Sequence, residues 1–231
     1  MQGKGKKTGN IIRKTGTILV GVGIVLMLAG MCLFVRNRRE DDLAGKRAQE
    51  ALAELKAVME KGEILQGANG ERTAAAGRAG DSARGNDGAA DGNARNQDTD
   101  IQTVLVGDYE YAGYLRIPSL GLELPVMAQW SYPRLKIAPC IYHGSAAEGN
   151  LVIAAHNYAR HFRGLSKLEQ GAEVTYTDVE GCVWYYEVET TDVLAPEAVE
   201  EMTDAGYALT LFTCTYGGAS RVAVRCVEAE E

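Results

Sequence analysis

Residues 67–100 contain no isoleucine, leucine, valine, methionine or aromatic residue, and this absence limits what the chain can build more than any other feature. A stretch of Gly, Ala, Asn, Asp and Arg cannot bury enough apolar surface to offset the entropy lost on ordering it, so no core runs through it. It reads as a flexible linker whose root-mean-square span as a random coil is ~30–35 Å. The 231 residues therefore separate into an N-terminal portion and a C-terminal portion, 101–231. The latter, at about 130 residues, is long enough for a single core.

The N-terminal portion has its own constraint. Residues 15–35, TGTILVGVGIVLMLAGMCLFV, hold no charge over 21 positions, close to the ~20 residues a helix needs to cross a bilayer core. A cleaved signal peptide would have a shorter apolar region followed by a small-x-small site. Here Arg36, Arg38 and Arg39 follow directly, so an uncleaved transmembrane anchor is expected. Lys4, Lys6, Lys7, Arg13 and Lys14 precede it. Five basic residues before it against three after it favour residues 1–14 inside and the bulk of the chain outside. Further on, Leu43, Ala48, Ala51, Leu52, Leu55, Val58 and Met59 recur at helical spacing within residues 40–65. Residues 36–66 are thus expected to form a helical stalk. Its stripe suits a partner helix or the membrane surface, and equally a marginal helix in solvent.

In residues 101–231, eight Lys and Arg stand against eighteen Asp and Glu, a net charge of −10. Nucleic-acid binding needs a basic patch to meet phosphates, and the balance argues against it. Segments rich in β-formers recur at 111–117, 122–127, 151–155, 173–177, 183–194, 208–214 and 221–227. Short strands at this density predict an all-β barrel or sandwich. Helical patterns are expected at Phe162–Glu169 and at Pro196–Met202, where the proline suits a first turn.

The chain has five cysteines, Cys32, Cys140, Cys182, Cys214 and Cys226. An odd number leaves at least one free thiol in a compartment that permits disulfides, and Cys214 is the best candidate. Cys140, Cys182 and Cys226 are expected to be small buried hydrophobes, with a disulfide among them left open. No Cys/His spacing suits a metal, and no cofactor is expected.

Chemistry concentrates at the C-terminus. Cys214 ends the run Thr210-Leu211-Phe212-Thr213-Cys214, and Arg221 follows seven residues later. Gly217-Gly218 lies between them, flanked by β-formers, which signals a hairpin because primed turns need φ > 0. A turn centred there pairs Cys214 with Arg221, and opposed residues lie ~4.5–5.5 Å apart at Cβ. Alternation then places Thr210, Phe212, Cys214, Arg221, Ala223 and Arg225 on one face. Leu209, Leu211, Thr213, Val222, Val224 and Cys226 take the core face. His156 ends the apolar run 151–155 and leads into a polar loop. A thiol nucleophile needs a proton acceptor and an oxyanion donor, so thiol, imidazole and guanidinium form a candidate acyl-transfer set. His143 in a turn and His161 near a helix start read as surface or satisfied positions, and Arg225 as structural.

TLFTC resembles the TLxTC signature of sortases, the cysteine transpeptidases of Gram-positive cell surfaces. Gly113-Tyr-Leu-Arg-Ile-Pro-Ser-Leu-Gly-Leu-Glu-Leu-Pro-Val126 is similar to that family's opening hairpin, and Asn150-Leu-Val-Ile-Ala-Ala-His-Asn157 to the strand that delivers its histidine. The resemblance covers about 115 residues and implies an eight-stranded β-barrel with a few short helices. It implies Cys214 as nucleophile, His156 as acid and base, Arg221 as oxyanion donor and Thr213 as a residue shaping the peptide site. The implied substrates are sorting signals resembling Leu-Pro-x-Thr-Gly on secreted proteins. The implied acceptor is an amine of a peptidoglycan precursor or of a pilin. The connection from Leu194 to Ala208 lacks the longer helical insertion of many class B enzymes. No Asp-Pro-aromatic lid motif of the class C kind occurs in 67–110. Housekeeping, class D-like and shortened class B-like readings stay open. Two rivals from other classes are a thiol hydrolase that releases surface proteins and a catalytically silent, membrane-tethered binding module. Intact Cys214, His156 and Arg221 argue against the second.

Overall fold

The computed structural model describes residues 5–62 and 101–230, with side chains from Val20 onward. The linker expected at 67–100 and residues 1–4 lie outside the described residues. Both N-terminal helical patterns fall on one continuous helix, α1 (Gly5–Lys61). The chain divides into two compact units, Met1–Leu43 and Ala44–Glu231. In the first, α1 is long and apolar enough to cross a membrane, and its large apolar side chains from Val20 to Val35 are exposed.

The second unit is built on nine strands: β1 (Val104–Val106), β2 (Tyr109–Ile117), β3 (Leu122–Met127), β4 (Cys140–His143), β5 (Leu151–Ala154), β6 (Glu173–Asp178), β7 (Val183–Leu194), β8 (Leu209–Cys214) and β9 (Arg221–Glu228). They run in the order β1-β2-β3-β4-β5-β8-β9-β7-β6, and β6 pairs back onto β2. That last pairing closes β2 to β9 into an eight-stranded barrel, the fold the sequence resemblance implies. β1 lies outside the ring, on the edge of β2 beyond the reach of β6. β5, β8 and β9 are paired on both sides along most of their length, whereas β3 meets β4 only at Met127 and Cys140.

The seven strands expected from sequence all form, with ends shifted by at most two residues. β4 and β1 escape the pattern because they are short; β4 has four residues between Pro139 and Gly144. The helix expected at Phe162–Glu169 is a 3-10 turn, Phe162–Lys167. The one expected at Pro196–Met202 is α3 (Val199–Thr203), which starts three residues after the proline and has no side-chain cap. A further short helix, α2 (Tyr132–Leu135), is capped by Ser131, whose Oγ accepts from the Arg134 amide at 3.3 Å.

Leu115, Ile117, Leu124, Leu151, Ile153, Leu209, Leu211, Val224 and Cys226 fill the barrel interior. β5 and β8 run parallel, with Ala154 opposite Phe212. All of β5 is buried, as expected of a parallel strand covered on both faces. Val152 faces outward into a cluster with Met202 of α3 and Ala223 of β9. The end of α1 belongs to this unit. Ala44, Ala48, Leu52 and Leu55 are buried, and Lys56 Nζ lies 2.8 Å from Glu123 of β3. Leu55 joins Val104, Tyr111 and Met127 in a second cluster outside the barrel wall.

Candidate active site

β8 and β9 form the hairpin whose register pairs Cys214 with Arg221. Gly217 and Gly218 adopt φ of +84° and +76°, a region that favours glycine. The turn is wider than a two-residue loop. The Gly218 amide donates to the Thr215 carbonyl at 2.9 Å, and the Thr215 amide to the Ser220 carbonyl at 2.9 Å. The register at the reactive pair is unaffected. Both Cys214 and Arg221 are half-buried. Arg221 Nη1 donates to the carbonyls of Gly218 (3.1 Å) and Ser220 (3.2 Å), which ties the guanidinium to the turn.

β5 delivers His156 to the same end of the sheet. The Ala155 amide donates to the Phe212 carbonyl at 3.1 Å, continuing the β5–β8 ladder to one residue before His156 and two before Cys214. Thr213 strengthens this link. Its side chain is buried on the core face and its Oγ1 donates to the Ala155 carbonyl at 2.8 Å. Thr213 thus couples the strand bearing the thiol to the strand bearing the imidazole.

His156 Nε2 is buried with no hydrogen-bond partner. Burial first, and the charge of Lys136 second, hold its pKa below the ordinary 6.5. At neutral pH the imidazole is therefore an unprotonated base. Its ring packs 4.9 Å from that of Tyr158, which in turn lies 5.5 Å from His161. His161, expected at a surface or satisfied position, is fully buried, and neither ring nitrogen has a hydrogen bond of good geometry. Burial drives its pKa down to about 4, with repulsion from His156 adding to the effect. His143 is half-buried at the end of β4, where it pairs with Val152 of β5 rather than with the Cys214 end.

The other cysteines of the barrel unit are poor nucleophiles. Burial pushes the thiols of Cys140 and Cys226 up to about 12. Cys182 is exposed rather than buried, and the charge of Asp178 raises its pKa. All five cysteines are free thiols, so no disulfide joins Cys140, Cys182 and Cys226. Among the described residues no group of three His, Cys, Asp or Glu is placed to hold a metal.

An aromatic row that sequence reading missed borders the pair. Trp130, Tyr142 and Phe212 pack in succession at 5.3 and 5.1 Å between ring centroids, with Tyr132 5.8 Å from Trp130. Phe212 precedes Cys214 by one alternation on the same face, and Arg221 is close enough to Tyr142 to act on its ionisation. Trp130 lies in a connection, Tyr132 opens the four-residue α2 and Tyr142 lies in a four-residue strand, so no periodic pattern marked them.

Residues 115–229 match the Sortase domain family model. Among solved structures, the chain is similar to sortase C from Clostridium perfringens SM101, at 26% identity over 52% of this chain and 71% of that chain, with a TM-score of 0.44. It is similar to sortaseC1 from Streptococcus suis at 27% identity, over 53% of this chain and 75% of that one, with a TM-score of 0.46. A lid mutant of sortase A from Corynebacterium diphtheriae matches at 24% identity, 52% and 71% coverage and a TM-score of 0.48. No curated protein matches the chain. With the barrel closed by β6 on β2 and the family model matched from Leu115 to Ala229, the chain belongs to the sortase family, a family of cysteine transpeptidases.

Proposed function

We propose that this sortase is a membrane-anchored transpeptidase that cleaves an LPxTG-like sorting signal. It joins the released protein to an amine of a peptidoglycan precursor or a pilin. The observation that carries this reading is the β8–β9 register that sets Cys214 directly opposite Arg221, with His156 delivered to the same end by the adjoining β5. In this reading His156, unprotonated at neutral pH, takes the proton of the Cys214 thiol. The thiolate attacks the threonine carbonyl of the signal. Arg221 has five donors, and those not engaged by the turn meet the developing oxyanion. The imidazolium, acidic because its pKa is depressed, gives its proton to the departing glycine amine. A thioester remains. The acceptor amine then attacks it, His156 removes the amine's proton, and Cys214 is regenerated.

Residues 15–35 serve as the membrane anchor, residues 1–14 face the cytoplasm, α1 continues the anchor as far as Lys61, and the stretch up to residue 100 links it to the catalytic domain, residues 101–231. Extracellular placement brings the site to a translocated protein and a lipid-linked precursor. The test is covalent labelling by thiol-reactive sorting-signal pentapeptides, followed by detection of a product ligated to an added amine. Labelling of Cys214 with amine-dependent ligation is expected. Cleavage with water as the only acceptor would make the protein a hydrolase, and no labelling by any peptide would remove the reading.

A further inference from the structure

Arg225 is the largest fully buried side chain, and the acyl-transfer chemistry does not use it. It sits on β9 two alternations from Arg221, opposite Thr210 of β8. A buried guanidinium is costly unless its donors are met, and here most are. Nε donates to Asp192 Oδ2 at 3.0 Å and Nη1 to Thr210 Oγ1 at 3.1 Å. Nη1 also donates to the Met202 carbonyl at 3.3 Å, and Nη2 to the Glu201 carbonyl at 2.6 Å. The Tyr207 ring lies 5.6 Å away over the cation. Two of these acceptors are carbonyls in the last turn of α3, groups a helix cannot satisfy itself. One side chain therefore joins β7, β8 and β9 to the connection between Leu194 and Leu209.

What that connection covers gives the contact a consequence. Met202 is buried against Val152 and Ala223, with Tyr142, Leu194 and Phe212 beside them. Phe212 and Ala223 are the pair next to Cys214 and Arg221 on the same face. The outer face leading to the thiol is thus roofed by a connection held at its backbone by Arg225.

We propose that Arg225 is a positioning residue that fixes the 195–208 connection as one wall of the peptide site beside Cys214. This rests on the transpeptidase reading above. A lysine here keeps the charge but has no planar fork to reach Asp192, Thr210 and two carbonyls together. The full chain in detergent is compared with Arg225→Lys, Arg225→Met and the milder Asp192→Asn, whose carboxylate is partly exposed. Two readouts are used: cleavage of the pentapeptide that the wild type cuts best, and hydrogen exchange across 195–208. KM is expected to rise about tenfold or more in Arg225→Met, less in Arg225→Lys and least in Asp192→Asn. The value of kcat should stay within a few-fold, and exchange should quicken in 195–208 but not in β5. Unchanged KM in the folded variants, or unchanged exchange in 195–208, would overturn the role. A loss confined to kcat would overturn it too. A wild type that cleaves no pentapeptide would instead sink the transpeptidase reading, and exchange alone would then decide whether Arg225 holds the connection.

Discussion

Three of the four thiols in the barrel unit are handicapped by their surroundings, two by burial and Cys182 by the charge of Asp178. Cys214→Ala should therefore abolish both thioester formation and peptide cleavage, with no neighbouring thiol to substitute. Turnover of that variant above background would reassign the nucleophile. His156→Ala and Arg221→Ala should each leave a folded chain while costing turnover on the scale of a lost oxyanion donor, ~10²–10³. His143→Ala, away from the Cys214 end, should be mild, and equal damage there would break the assignment of His156. His161 is a matter of stability. Neither ring nitrogen has a hydrogen bond of good geometry. Its pKa of about 4 in the fold lies well below the ordinary 6.5. Between those values the unfolded chain binds a proton that the folded chain refuses. The stability is therefore intact above pH 6.5 and is lost as pH falls towards 4, by about 3 kcal/mol when complete. Denaturant midpoints at pH 7 and pH 4.5 should separate less in His161→Phe, which keeps an aromatic ring behind Tyr158 but cannot titrate. An equal separation in parent and variant would mean that His161 is not the source.

The clearest departure from expectation among the elements is the end of α1. Its stripe of Ala48, Leu52 and Leu55 was open to three readings, and the structure buries it on the barrel unit. The contact is close. A Cβ at Gly45 would meet the Arg160 side chain, in the segment that follows His156. Periodicity identified the stripe but could not identify its partner, because 34 core-free residues separate the helix from the strands in sequence. Leu55→Ala in the full chain should lower stability by ~2–5 kcal/mol, the cost of emptying a buried leucine site. A change below ~0.5 kcal/mol in denaturant titration would show that the helix is a free stalk. The strands were more legible. The density of β-formers over 183–194 gave β7 its full length of twelve residues. So did the glycine-marked β8–β9 hairpin, where alternation and turn chemistry agree on one register. The reactive face was read only in part. Thr210, Ala223 and Arg225 were assigned to the face of Cys214, but that they are buried beneath α3 depends on a five-residue helix with no sequence cap.

At the scale of the whole molecule, function depends on where the barrel is held. In the proposed reading, a sorting signal and a lipid-linked acceptor both arrive at the outer membrane face, so a tethered enzyme would meet them at high local concentration. The apolar run is long and apolar enough to serve as that tether, while the proposed orientation rests on the five basic residues before it and three after it. Barrel geometry is silent on that point, since a soluble domain folds alike on either side. Residues 67–100, rich in glycine and alanine and lacking any large apolar side chain, have the small, polar composition that proteolytic nicking prefers. On intact, wall-stripped cells, external protease should cut within 67–100 and yield a resistant fragment of about 130 residues that still labels with a sorting-signal peptide. The strands of the closed barrel should resist while the linker is consumed, because pairing occupies their backbone groups. Protection of the whole chain until the membrane is breached would place the domain inside. The anchoring function would then fall, although the Cys214, His156 and Arg221 arrangement would stand unchanged.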